Sequence, residues 1–235
     1  MAVRKDALAL LWERPPAGRR GPKPTLTHDR IAAAGVALAD AEGLTAVTMQ
    51  RVAEALEVTK MALYRYVPGK AELIALMTEA ALGGPPELPA GPWRPAMDAW
   101  ARHIFAGYLR HPWALSTTVG PRPVGPNELA WMEVACARLA GTGLTGGEML
   151  DVAATLIGHV RSIAQQDAAA GSASPERNLQ EGMVAVLRAH RDRYPALTAA
   201  LDATVEHGGS DQALDFGLDR ILDGVELLVA RRDGS

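Results

Sequence analysis

The stretch TMQRVAEALEVTKMALYRYV, residues 48–67, decides the fold. Thr48 is placed to cap a helix through Leu56, with Val52, Ala53 and Leu56 on one face, and Thr59 to cap a second through Val67, which Pro68 and Gly69 end. Only Leu56, Glu57 and Val58 connect them. Two short helices so joined form a helix-turn-helix pattern, in which the first braces the second across the DNA backbone and the second sends N-terminal side chains into the major groove. The second helix offers Thr59, Lys60, Met61, Tyr64, Arg65 and Tyr66 outward, while Leu63 and Val67, one turn apart, pack inward with Ala53. Lysine, arginine and tyrosine supply donors for phosphates and base edges. The same spacing also suits an ordinary helical hairpin within a larger bundle.

Working outward, Thr27 caps a helix to about Glu42, with Gly43 at its end, and another helix begins near Lys70 and runs through Leu73, Ile74, Leu76 and Met77. The run GGPPELPAGP, residues 83–92, breaks the chain, which places a domain boundary there. Beyond it the pattern predicts helices over about 94–110, 113–118, 127–141, 146–169, 176–193 and 211–231. Helix formers dominate and no stretch sustains strand-like alternation, so the fold class is all-α, with the later helices packed as a bundle. Upstream, PPAGRRGPKP (15–24) joins prolines and glycines to Arg19, Arg20 and Lys23; it reads as an extended basic arm over residues 1–24, ahead of domains at 25–82 and 92–231. Within it, Leu8, Leu11 and Trp12 allow one amphipathic turn of helix, which needs a packing partner to persist.

The chain has 235 residues, 48 % of them hydrophobic and 22 % charged, enough apolar material to exclude disorder for most of its length. No apolar run approaches the ~20 residues of a membrane span, and the first residues lack a signal-peptide core, so a soluble, cytoplasmic protein is expected. The single cysteine, Cys136, sits among small apolar neighbours as a core residue. The net charge of -3 hides an asymmetry: residues 1–82 carry 11 Lys+Arg against 9 Asp+Glu, and residues 83–235 carry 13 against 18. A basic front on an acidic body suits a polyanion partner, although a solvated charge bias reads the same way.

Trp93, Trp100, Trp113 and Trp131 cluster just past the boundary with Met97, Phe105 and Tyr108. The cluster fits either an apolar small-molecule pocket or plain core. His103, beside Ile104, and His159, mid-helix, are polar candidates for ligand contact or interior hydrogen bonding. A helical enzyme using one of them as general base is a rival reading, but no paired carboxylates, nucleophile triad, phosphate loop or metal motif accompanies it. A helical adaptor without DNA affinity is the other rival. Over 211–231, Leu214, Leu218, Ile221, Leu222, Val225 and Leu228 form a continuous apolar stripe opposite a row of acidic residues.

Residues 25–73, TLTHDRIAAAGVALADAEGLTAVTMQRVAEALEVTKMALYRYVPGKAEL, resemble the TetR family of transcriptional regulators, most specifically in LYRYV followed by Lys70. RHPW, GPNELAWMEVACARLAGTGL and FGLDRILDGVELLVA are similar to the family's effector-binding domain. The resemblance implies a homodimeric, ligand-responsive regulator, most simply a repressor released from a palindromic double-stranded DNA operator by a small, largely apolar effector. Carried to matching residues, it puts Lys60, Met61, Ala62, Tyr64 and Tyr66 against DNA, Thr48 and Lys70 on phosphates, and Arg65 on bases or phosphate. Arg19, Arg20 and Lys23 of the arm either reach a neighbouring minor groove or belong to a solvated tail. Glu57 departs from the family's usual glycine, where positive φ is free of steric cost. The implied effector contacts are Met97, Trp100, His103, Ile104, Trp113, Trp131, His159 and Gln166. The implied dimer seam uses Leu156, Val160, Ile163, Leu214, Leu218, Ile221, Leu222 and Val225. No cofactor is expected. Family members that bind a magnesium-bound drug use a histidine near the place where this chain has Thr118, so no metal is carried over.

Overall fold

The computed structural model describes residues 5–13, 26–170, 182–184, 186–187, 189–207 and 212–233. Arg19, Arg20 and Lys23 lie outside them. Among the described residues the regular structure is helical throughout, as the composition predicts, and no helix is long and apolar enough to cross a membrane. The chain divides into two compact units, Met1–Ala140 and Gly141–Ser235.

The first unit runs α1 (Lys5–Trp12), α2 (His28–Glu42), α3 (Met49–Ala55), α4 (Lys60–Tyr64), α5 (Lys70–Leu82), α6 (Trp93–Arg110), α7 (Ala114–Thr117) and α8 (Pro126–Leu139). Three threonines set the starts. Thr27, Thr48 and Thr59 take extended backbone, and their hydroxyls accept the otherwise unpaired amides of Arg30, Arg51 and Ala62 at 3.1–3.2 Å. Gly43, at φ 82°, ends α2 in a conformation that suits glycine. Ile31, Val47, Val52, Leu63, Leu73 and Met77 are sealed from solvent and form the core that α2 to α5 share. Each such side chain contributes about 1.5–3 kcal/mol. The approach is close: a Cβ at Gly35 on α2 would come within 2.7 Å of the Met77 sulfur on α5.

The amphipathic turn expected near Trp12 finds its partner in α5. Ala7 and Leu11 of α1 are buried, and the Trp12 indole donates to the Val124 carbonyl at 2.9 Å. A helix of eight residues has too little internal hydrogen bonding to stand without such packing. In α6 the buried Ala96, Met97, Trp100, Ala101 and Tyr108 recur at helical spacing.

The second unit holds α9 (Gly146–Ala170), α10 (Pro195–His207) and α11 (Ala213–Asp233). Thr145 and Glu148 open α9 with a reciprocal capping box: each residue's amide donates to the other's side chain, at 2.7 and 3.3 Å. The Thr145 amide holds the Glu148 carboxyl below its ordinary pKa. α9 and α11 pack together through Leu156, Val160, Leu218 and Leu222. The helix Pro195–His207 falls where the sequence reading placed none. Pro195 looks like a stop, but at a first helical position its missing amide is harmless and its fixed φ already suits the helix.

Candidate nucleic-acid interface and effector region

The reading head is built from α2 to α5. α3 ends in a Schellman turn: the Val58 amide donates to the Ala53 carbonyl and the Glu57 amide to that of Glu54, both at 3.0 Å. Glu57 takes the left-handed position of this turn at φ 56°, the single non-glycine residue with positive φ among those described. The turn therefore keeps the geometry that glycine provides elsewhere, at a strain of about 1 kcal/mol. Arg51 on α3 makes a two-pronged ion pair with Glu42 at the end of α2, at 2.9 and 2.5 Å. Its hydrogen bonds hold the Glu42 carboxyl below the usual range. His28 donates from Nε2 to the Tyr66 carbonyl at 3.2 Å, bracing the end of α4 against α2.

On this frame α4 keeps only Leu63 inside, with Val67 of the following turn beside it. Thr48, Thr59, Lys60, Met61, Tyr64, Arg65, Tyr66 and Lys70 are exposed, and Ala62 is half-buried. Met61 is 72 % exposed, uncommon for a large apolar side chain without a partner. The Lys60 ammonium lies 5.8 Å from the Tyr64 ring centroid, over its face. Each expected contact residue within the described chain thus reaches solvent, and Thr48 and Lys70 stand at the starts of α3 and α5, the helix ends that favour phosphate oxygens.

The expected effector residues of the first unit sit differently. Met97 and Trp100 are fully buried, Trp113 nearly so, and Trp131 and Ile104 half-buried. Trp100 donates its indole N–H to the Trp131 carbonyl, and Trp131 donates to that of Gly83, both at 3.0 Å. Met97, Trp100 and Trp113 are therefore packed core, and the indole donors of Trp100 and Trp131 are satisfied within the protein. His103 is exposed and turns its Nδ1 to the Ala99 carbonyl of its own helix at 2.7 Å. Trp113 donates to Asp40 at the C-terminal end of α2 at 2.7 Å, and His111 donates to the same carboxylate oxygen at 2.8 Å. The sequence reading missed Asp40; the acidic end of an otherwise apolar-faced helix was its only signal.

A cavity of about 270 Å³ does open in this unit, between α1, α5 and the loop leading into α8. None of the expected effector residues lines it. Its polar edge carries Thr78, Glu79, Thr117, Arg122 and Glu128. Thr78 and Thr117 bond to each other at 2.8 Å, and Arg122 and Glu128 form a two-pronged ion pair. Glu79 accepts the Asn127 amide at the start of α8, and desolvation raises its pKa above the ordinary carboxyl value. A Cβ at Gly125 would collide with that carboxylate.

In the second unit His159 donates to the Leu214 carbonyl at 3.1 Å, its ring lying against Gly217 of α11, and Gln166 is exposed. Of the expected dimer residues, Leu156, Val160, Leu218, Leu222 and Val225 are covered within the protomer, because α9 and α11 turn these faces toward each other. Ile163, Leu214 and Ile221 are half-buried. Leu150, Phe216 and Leu227 carry the exposed apolar surface of the two helices.

Residues 31–77 match the family described as bacterial regulatory proteins, tetR family, and residues 85–229 match the tetracyclin repressor-like C-terminal domain. The HTH-type transcriptional repressor DrrR1 of Streptomyces coeruleorubidus is 38 % identical over 237 residues, spanning 97 % of this chain and 87 % of that one. An HTH-type transcriptional regulator of Saccharopolyspora erythraea is 31 % identical, spanning 94 % and 93 %. Apo ActR of Streptomyces coelicolor shares the fold with a TM-score of 0.75 at 23 % identity, over 89 % of this chain and 99 % of that one. The complex of ActR with actinorhodin aligns with a TM-score of 0.68 at 26 % identity, over 86 % and 96 %. Regulators of this family bind DNA operators and small-molecule ligands and form dimers. The chain belongs to the tetR family of bacterial regulatory proteins and is a ligand-responsive, DNA-binding transcriptional repressor, not an enzyme.

Proposed function

We propose that the protein acts as a cytoplasmic homodimer that reads a palindromic operator with one α4 from each subunit. The observation that carries this reading is the outward set on α4, with Lys60, Met61, Tyr64 and Arg65 all exposed while Leu63 anchors the helix. Lys60, Met61, Ala62, Tyr64 and Tyr66 approach base edges. Thr48 and Lys70 hold phosphates at the starts of α3 and α5, and Arg65 serves either surface. Arg19, Arg20 and Lys23 add a sequence-independent attraction from the arm. The subunits meet through α9 and α11, whose uncovered Leu150, Phe216 and Leu227 are the apolar surface available to a second copy.

The effector is a small, largely apolar molecule, by analogy with ActR, which has been solved with actinorhodin and with (S)-DNPA. It acts by binding more tightly to a state in which the two α4 helices no longer match successive major grooves. Because Met97, Trp100 and Trp113 are packed, contact with them requires the aromatic layer to open. The Asp40 bonds to His111 and Trp113 give a displaced α6–α7 corner a direct grip on α2.

Footprinting on the region upstream of the protein's own gene tests the reading. Two protected half-sites are expected, centred roughly one helical turn, 34–36 Å, apart. A single protected patch, or no protection at low salt, would overturn it.

A further inference from the structure

We propose that the cavity beneath α1 is a ligand site for a neutral, apolar ring system carrying a hydrogen-bond donor, with the N-terminal helix as its roof. The apolar wall comes from Leu11 of α1 and from Ala71, Ile74, Ala75 and Leu82 of α5. With Thr78, the α5 positions 71, 74, 78 and 82 recur every three or four residues, so the helix gives the cavity one whole face from its first turn to its last. At about 270 Å³ the space lies just under the roughly 300–1,000 Å³ of small-molecule sites, which suits two or three rings.

The polar edge sets the ligand's chemistry. Thr78 and Thr117 are committed to each other, and the one lining arginine, Arg122, is committed to Glu128. Glu79 is the lining carboxylate nearest the start of α8, whose Asn127 amide it accepts, and a carboxylate keeps lone pairs beyond such bonds for a ligand's donor. Desolvation has already raised its pKa, so a donor arriving there is favoured and an anion is not. Two carboxylates against one guanidinium disfavour an anion again.

The site is distinct from the aromatic layer of α6 and α8, and it touches the helix that begins with Lys70. Occupancy would therefore act on α5 along its length, with α1 held over the ligand by the Trp12 bond to Val124. The binding claim stands independently of DNA recognition.

A matched pair of fluorophores tests it on the full chain: neutral N-phenylnaphthylamine, and the same ring system carrying a sulfonate. The neutral dye is expected to bind saturably, one per chain, at least tenfold more tightly than the sulfonate. Ala75→Phe, which fills the cavity, should weaken it at least tenfold with an unchanged melting profile. Leu11→Ala should weaken it about threefold, and Glu79→Gln should narrow the preference over the sulfonate. Absence of saturable binding, equal binding of the two dyes, or binding indifferent to both Ala75→Phe and Leu11→Ala overturns the proposal. A footprint measured without dye on the same wild-type protein separates this outcome from failure of the operator reading.

Discussion

The recognition segment, residues 59–67, and the tryptophan layer of α6 and α8 look alike in composition, since both concentrate aromatic side chains on short stretches of helix. Their fates are opposite. In α4 the tyrosines and Met61 reach solvent around one buried leucine, whereas in α6 Trp100 and Met97 are sealed. The difference lies in what flanks them. A helix of five residues between two turns has room for one inward position and is anchored by Leu63 and Val67. The 18-residue α6 repeats small and large apolar residues at every turn and so buries a full face. Aromatic content therefore marks a surface for recognition only where helix length and capping leave it uncovered.

The comparison breaks most sharply at Trp100. Trp100→Ala is expected to destabilise by about 3–5 kcal/mol, because it leaves a cavity and removes the indole's hydrogen bond to the Trp131 carbonyl. Tyr64→Ala should leave the melting temperature nearly untouched; equal losses in calorimetry would erase the contrast between the regions. Next comes Asp40→Ala, which removes the shared acceptor of Trp113 and His111, at about 1–3 kcal/mol in denaturant titration. On the reading head, Lys60→Ala or Lys70→Ala should weaken operator binding about tenfold while the dimer persists. A lost phosphate contact should also flatten the salt dependence by roughly one unit of slope, measured by anisotropy across salt concentrations.

Two smaller effects sharpen the picture. Glu57→Gly should raise stability by about 0.5–1 kcal/mol by releasing the left-handed strain, less the extra freedom of the unfolded chain; a loss of stability would show that the Glu57 side chain contributes to the turn. Glu79 has a raised pKa in the folded state, so its stabilising contribution is complete below the unfolded value of about 4.3 and is lost as pH rises through the folded value. Glu79→Gln should accordingly melt above the parent at pH 7, and the gap should close as the pH falls toward 4. A gap that widens in acid would mean that the carboxylate's bond to α8 outweighs its desolvation.

Much of the fold was legible because it rests on local rules. Thr27, Thr48 and Thr59 before apolar periodicity placed α2, α3 and α4 to within a residue at their starts, and Gly43 marked the exit of α2, whereas α4 ends at Tyr64, short of the expected Val67. The outward set of α4 followed from the same spacing. Features that depend on distant parts of the chain were not legible. The role of Trp113 rests on Asp40, 73 positions away, and that of Trp131 on the Gly83 carbonyl, 48 positions away. Nothing near either tryptophan announces its acceptor. The apolar stripe of α11 was correctly seen, but periodicity cannot say whether α9 of the same protomer or a second copy covers it. The helix Pro195–His207 was missed because a proline that opens a helix and one that closes it look the same without the preceding backbone.

Asp40 offers a single oxygen to two donors from the corner between α6 and α7. Rotating that corner by even an ångström or so must drag the end of α2 along or strip a tryptophan or histidine of its partner, so intermediate positions are penalised. Were an effector to displace that corner, such a junction would act as a latch rather than a spring, and the operator would be let go abruptly instead of by degrees.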